Sequence, residues 1–254
     1  MYANRLLIFI LLCSVSSLMA QDKQFNVLLF TKTAGFHHTS INEGVNALRK
    51  LADKHHFSLS WHESASEFTD DHLKNYDVIV FLNTTEDILD DEQQGAMERF
   101  IRSGKGFVGI HSAADTEYNW PWYTKMVGHM FKIHPAIQTA KLRVVDSNFP
   151  GLETMPASRV WTDEWYEYSP ATIDDLNYLI TVDEDTFDPE VQWGDNIGKG
   201  MGDFHPIAWY HEYDGGRAFY SGLGHVPSTY SDAIFLDHLY GGIWWAATGK
   251  GIDY

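Results

Sequence analysis

The chain has 254 residues, with 18 Lys and Arg against 35 Asp and Glu, a formal net charge of −17. That excess of acid repels phosphate backbones and anionic headgroups, which argues against a nucleic acid or a membrane surface as partner. The one cysteine, Cys13, lies in the N-terminal segment; beyond it, disulfides, thiolate nucleophiles and cysteine-held metals are excluded.

Met1 to Ala20 reads as a secretory signal peptide. Arg5 precedes the apolar run Leu6 to Cys13, and small and polar residues lead to Ala20. The run is shorter than the ~20 residues of a membrane span, and bulky Leu12 argues against a lipoprotein cysteine at Cys13. Cleavage would leave about 234 residues. The charge becomes −18, because Arg5 leaves and no acid does. The expectation is a periplasmic or secreted protein with no membrane anchor, in which residues 21–254 form a single domain.

Asn26 to Thr31 is a short apolar run suited to a strand buried on both faces. Ser40-x-x-Glu43 has the form of a capping box ahead of a helix bearing Ile41, Val45, Leu48 and Ala52. Phe57 to Trp61 and Asp77 to Leu82 read as strands. Asp90 and Asp91 open a helix carrying Met97, Phe100 and Ile101, and Gly104 ends it. Gly106 to Ile110 is the next strand. This alternation predicts an α/β fold with a doubly wound, mostly parallel sheet, flavodoxin-like in type. Ala140 to Val145, Arg159 to Tyr168 and Tyr178 to Val182 are further strands. The acidic stretch Asp183 to Glu190 reads as a solvated loop. An added antiparallel hairpin is expected where Ile207 to Tyr213 and Arg217 to Gly222 flank Asp214-Gly215-Gly216. Ser231 or Asp232 caps a last helix bearing Phe235, Leu239, Ile243 and Ala246, stopped at Gly249.

Open parallel sheets bind ligands beyond the carboxyl ends of their strands. Three such ends each deliver a histidine: His37 and His38 after the first strand, His111 after GFVGI, and His225 after the hairpin strand. Each alone could be an ordinary loop residue; together they suggest a site, since imidazole moves protons near neutral pH. Phe107 to Asp115 has the shape of a nucleophile elbow with His111 at its tip and Ser112 next. Ser112 with His225 and Glu164 would be a serine hydrolase alternative. In Asp163-Glu164-Trp165-Tyr166-Glu167, Glu164 or Glu167 could act as a general acid, or simply pair with a surface cation. His205 begins an apolar strand. Trp120 could stack on a sugar ring, whereas Trp122, Trp244 and Trp245 are explained by packing.

The segments TKTAGFHHTSI, GKGFVGIHSAAD, His134-Pro135, DEWYEY, FHPIAWYHEY and GGRAFYSGLGH, in that order, resemble the ThuA-like family of trehalose-utilisation proteins. The resemblance spans Asn26 to Gly249 and implies a class I glutamine amidotransferase-like fold. In the amidotransferase relatives the elbow carries cysteine; here the matching residue is His111, so Cys–His glutamine hydrolysis is ruled out chemically. The resemblance further implies disaccharide catabolism through 3-keto sugars made by a partner oxidoreductase.

The resulting expectation is an exported carbohydrate-catabolism enzyme, a hydrolase or lyase or an isomerising enzyme, acting on a glycoside or disaccharide as its 3-keto derivative by His/carboxylate acid–base elimination, hydrolysis or isomerisation. His111, Asp115, Glu164, His205 and His225 are the expected catalytic residues. His38, Ser112, Trp120, His134 and Trp165 are the expected substrate contacts. A divalent metal, Zn or Mn, would use His111, His205 and His225. The alternative is a non-catalytic sugar-binding or sensing protein on a degenerate amidotransferase scaffold.

Overall fold

The computed structural model describes residues 23–251, so the expected signal segment lies outside the described residues. Its elements begin with β1 (Asn26–Phe30), α1 (Ile41–His55), β2 (Ser58–His62), α2 (Asp70–Leu73), β3 (Val78–Leu82), α3 (Asp91–Arg102) and β4 (Gly106–Ile110). There follow α4 (Pro121–Val127), β5 (Phe131–Ile133), β6 (Gln138–Val144), β7 (Ser158–Asp163), β8 (Glu167–Tyr168) and β9 (Asn177–Asp183). The chain closes with β10 (Val191–Trp193), β11 (Asn196–Gly198), β12 (His205–Tyr213), β13 (Gly216–Ser221) and α5 (Ala233–Thr248).

Nine strands form one sheet in the order β2-β1-β3-β4-β13-β12-β9-β6-β7. The first five pair in parallel; from β13 outward each pairing is antiparallel. Seven of the nine strands therefore share one direction, and β12 and β6 oppose them. The expected α/β, mostly parallel sheet is present. The hairpin turns at Asp214 (φ 47°) and Gly215 (φ 90°), where two consecutive positive φ values match the strand twist. It is the start of a longer antiparallel wing. Two small sheets, β5–β8 and β10–β11, stand apart.

The strand period of two divides the core. On β1, Val27 and Leu29 join a cluster with Leu48 of α1 and Leu239 and Ile243 of α5, while Leu28 and Phe30 join Phe100 of α3 and Tyr123 of α4 on the other face. Asp90 and Gln93 close a full capping box on α3, the side chain of each accepting the other's backbone N–H. Ser40 does not cap α1 as its sequence pattern suggests. Its hydroxyl donates to the Gly224 carbonyl (3.1 Å) and accepts from Asn83 (2.9 Å), stitching the β1 loop to the loop after β13. No helix among the described residues is long and apolar enough to cross a membrane.

On α5, His238 is fully buried, with Nε2 3.1 Å from the Ser221 hydroxyl and Nδ1 unpartnered among the described residues. Burial pulls its pKa down to about 3. Below its ordinary value of 6.5 the unfolded chain binds a proton that the folded chain refuses, so stability is lost as pH falls through that window. The expected slope from this residue is up to about 1.4 kcal/mol per pH unit. Urea unfolding at several pH values should therefore give a flatter profile for His238→Phe than for the parent. Parallel profiles would contradict this.

Candidate active site

The site begins at the end of β4. The chain turns there on His111, whose φ of 51° puts a non-glycine residue in the left-handed region. That conformation costs about 1–2 kcal/mol and persists only where neighbours impose it. Tyr220 donates its hydroxyl proton to the His111 carbonyl (2.6 Å), and His111 Nδ1 donates to the Gly222 carbonyl (2.9 Å). This is the elbow expected from Phe107 to Asp115, continued by a 3-10 turn, His111–Asp115, rather than an α-helix.

The loop after β1 contributes His38, buried, with Nδ1 3.3 Å from the Ser112 hydroxyl. The loop after β13 contributes His225, following Gly224, whose φ of 119° a side chain would not tolerate. Asp163, at the end of β7, fixes this loop: its buried carboxylate accepts from the backbone N–H groups of Gly224 (2.9 Å), His225 (3.1 Å) and Val226 (3.3 Å). It also accepts from the Glu164 N–H (3.1 Å) and the Trp161 indole (3.2 Å).

Arg159 to Tyr168 is not the continuous strand its sequence suggests. Pairing stops after Asp163 and resumes at Glu167, and the break aims Glu164 inward. Its Oε2 lies 3.1 Å from His225 Nδ1 and 3.4 Å from His111 Nε2, and its Oε1 3.2 Å from His134 Nδ1. Burial alone would raise the Glu164 pKa, but the surrounding imidazoles of His111, His225 and His134 outweigh it and hold the carboxyl well below its ordinary range. Burial, reinforced by the charges of His111 and His225, pulls the His38 pKa down to about 2. Burial also lowers that of His134. For His225 the burial effect is overcome by its bond to Glu164, and the pKa rises.

These groups open into a cavity of about 390 Å³ lined by His38, Asp115, His134, Glu164 and His225 and walled by Phe36, Phe131, Tyr166 and Trp193. Tyr166 lies against the His111 ring at 4.4 Å, and Trp193 meets His134 edge-on at 4.6 Å. Asp115 is unlike Glu164. Burial raises its carboxyl to about pKa 6, opposed by a hydrogen bond from Tyr118 (2.5 Å) and reinforced by Glu86.

The other expected site residues lie elsewhere. His205 is buried beneath the cavity with both ring nitrogens engaged, Nδ1 with Glu184 (2.6 Å) and Nε2 with the Tyr166 carbonyl (2.8 Å). It therefore supports Tyr166 and, contrary to the expected metal set of His111, His205 and His225, does not join the other two. Ser112 pairs with His38 and is not bonded to His225, so the serine triad does not form. Trp120 stacks on Trp122 and Tyr123 and bonds to Glu98 (3.1 Å); Trp165 bonds to the Gln138 carbonyl (3.0 Å) on the opposite side of the sheet. Neither lines the cavity. Glu167 is held by Lys132 and by the Lys199 and Gly200 N–H groups, clamping a loop. Glu184 likewise accepts from Met201 (2.5 Å) and Gly202 (2.9 Å) instead of lying in a solvated acidic loop.

Sequence reading missed Asp163 as the anchor of the His225 loop, and Phe36 and Trp193 as cavity walls. Trp193 had a weak signal: it ends a strand at the two-residue turn Gly194-Asp195. Among the described residues two clusters could hold a metal: His38, His111, Glu164 and His225, and separately His62, Glu67 and His72.

The ThuA family model, described as trehalose utilisation, matches residues 26–246. The fold is similar to that of a ThuA-like protein from Bacteroides uniformis ATCC 8492, with TM-score 0.75 and 23% identity over 91% of this chain and 96% of that one. A ThuA-like protein from Parabacteroides merdae ATCC 43184 gives 0.72 and 21% over 91% and 93%. A β-galactosidase from Bacillus circulans sp. alkalophilus shares the fold more distantly, with TM-score 0.51 and 13% identity over 85% of this chain and 30% of its own. No curated protein matches. The ordered motifs, the sheet and the family match over residues 26–246 agree, and the chain belongs to the ThuA family, whose description, trehalose utilisation, points to carbohydrate metabolism.

Proposed function

We propose that the protein is an exported carbohydrate-active enzyme that cleaves or isomerises a glycoside or disaccharide in its 3-keto form, supplied by a partner oxidoreductase. The observation that carries this reading is one aromatic-walled cavity holding two carboxyl groups driven in opposite directions. Glu164 is kept ionised by its histidines, and Asp115 is kept near protonation by burial. The cavity lies in the range of about 300–1,000 Å³ usual for small-molecule sites. Its rings suit the C–H faces of a sugar, while the imidazoles and carboxyls suit its hydroxyls.

A ketone at C3 acidifies the C2 proton. His134 donates its Nδ1 proton to the Pro135 carbonyl (2.8 Å), which leaves Nε2 bare, and its lowered pKa keeps the ring neutral near pH 7. In this reading His134 removes the C2 proton and the electron pair forms C1=C2. The C1–O bond breaks, and Asp115 protonates the departing oxygen. Water then adds across C1=C2, so the net reaction is hydrolysis. Proton return without loss of the aglycone is isomerisation. Glu164, the acid suggested by sequence, is unsuited to that role because it is held ionised. It instead holds a proton on His225, whose ring meets the charge developing on the ketone oxygen.

Incubation with 3-keto-trehalose and 3-keto-glucosides, followed by NMR, should show release of the aglycone with loss of the C2 proton signal in D₂O. Unchanged substrate, with and without added divalent metal, would sink the enzymatic reading; saturable sugar binding without turnover would then favour the recognition alternative.

A further inference from the structure

We propose that His38, His111, Glu164 and His225 form the binding site of one divalent transition-metal ion, with zinc or manganese as preferred occupant and a coordination position open to the cavity. The proposal rests on the reading of this cavity as the functional site, and not on the identity of the sugar.

Proton accounting comes first. His111 Nδ1 must carry hydrogen to donate to the Gly222 carbonyl, so in the neutral ring Nε2 is a bare lone pair. That lone pair faces His225 Nδ1 at 3.1 Å and Glu164 Oε2 at 3.4 Å, and the latter two are 3.1 Å apart. Three acceptor atoms thus share a buried triangle in which a single proton on His225 satisfies at most part of the demand. A cation at the centre satisfies all three.

Geometry agrees with this. Tetrahedral ligands at about 2.0–2.1 Å from zinc stand about 3.3–3.4 Å from one another, close to the observed edges of 3.1–3.4 Å. The rings of His38, His111 and His225 lie 4.9–5.1 Å apart and cross at 72–89°, and one ligand atom from each member of the cluster falls within 4.8 Å of the others. Ligand support is also in place: the Gly222 carbonyl sets the His111 tautomer, Ser112 meets His38 Nδ1, and Asp163 fixes the backbone that carries His225. Three imidazoles and a carboxylate suit a borderline transition ion and not magnesium or calcium. Because His38, Glu164 and His225 also line the cavity, a bound ion would reach the carbonyl and neighbouring hydroxyl of a keto sugar.

Metal binding is read independently of turnover. The full chain, stripped with chelator and reloaded with Zn²⁺ or Co²⁺, should hold one tight equivalent assigned to this cluster. Cobalt should give visible absorption of low coordination number, and zinc should raise the Tm. Glu164→Gln and, separately, His225→Ala should each weaken that equivalent by at least roughly 100-fold, since even partners of metal ligands are worth about 10–100-fold. Retained far-UV CD and metal-free Tm in either variant would show that it still folds. His72→Ala controls for the half-exposed His62–Glu67–His72 cluster, where His72 and Glu67 are 2.9 Å apart, and should leave the buried equivalent intact. Unchanged stoichiometry and affinity in both site variants, or loss of the tight equivalent only in His72→Ala, would overturn the proposal.

Discussion

Asp115→Asn is expected to lower kcat on a 3-keto glycoside by about 10²–10⁴-fold, the usual loss when a general acid is removed. The amide keeps the size of the side chain and its place in the cavity wall but has no proton to give the leaving oxygen. The pH dependence supplies a second readout. Burial first, then Glu86 and Glu164, push the Asp115 pKa up, while Tyr118 and His111 pull it down, and the balance is about 6. An acid catalyst works in its protonated form, so the parent rate should fall about tenfold per pH unit above that value. Asp115→Asn should lose this limb altogether. A variant with near-parental kcat, or one that keeps the limb, would assign the acid to another group.

Asp163→Ala should destabilise the fold by about 2–5 kcal/mol, because several buried N–H donors lose their acceptor and each one left unsatisfied costs about 1–3 kcal/mol. The carboxylate is wholly buried and accepts from the N–H groups of Gly224, His225, Val226 and Glu164 and from the Trp161 indole. Alanine leaves these donors facing apolar surroundings, and water cannot reach them without opening the loop. Asp163→Asn retains one acceptor oxygen and should fall between. Because the same carboxylate positions both His225 and Glu164, activity should fall even in variant protein that remains folded. Urea unfolding monitors the first effect and turnover at low denaturant the second. A loss of less than about 1 kcal/mol in the alanine variant would mean that another group holds the loop.

The sheet was legible because its central strands announce themselves. NVLLF, VIVFL and GFVGI carry no charge, and each is followed or preceded by a segment of helical period. Where local signals were weak, tertiary demand overruled them. Ser40 and Glu43 spell a capping box, yet the Ser40 hydroxyl is worth more bonded between Gly224 and Asn83, which are far away in sequence. The acidic run from Asp183 reads as solvated, but Glu184 turns inward to meet His205. The expected sugar platform shows the same limit. Trp120 and Trp193 are alike as letters; one is packed against Trp122 and Tyr123, the other 45% exposed at the cavity mouth.

By itself the amino-acid sequence determined the α/β class, the histidines at three strand ends, and the absence of a cysteine after Cys13, which removes amidotransferase chemistry whatever the scaffold. These are local properties: periodicity, residue type and position after a strand. Only the tertiary structure decided that His38, His111, His134 and His225 meet Glu164 while His205 does not. It also decided that one carboxyl is held ionised and another near protonation. Convergence depends on loops from strands distant in sequence, and a pKa depends on burial and neighbouring charge. Neither is written at the residue itself.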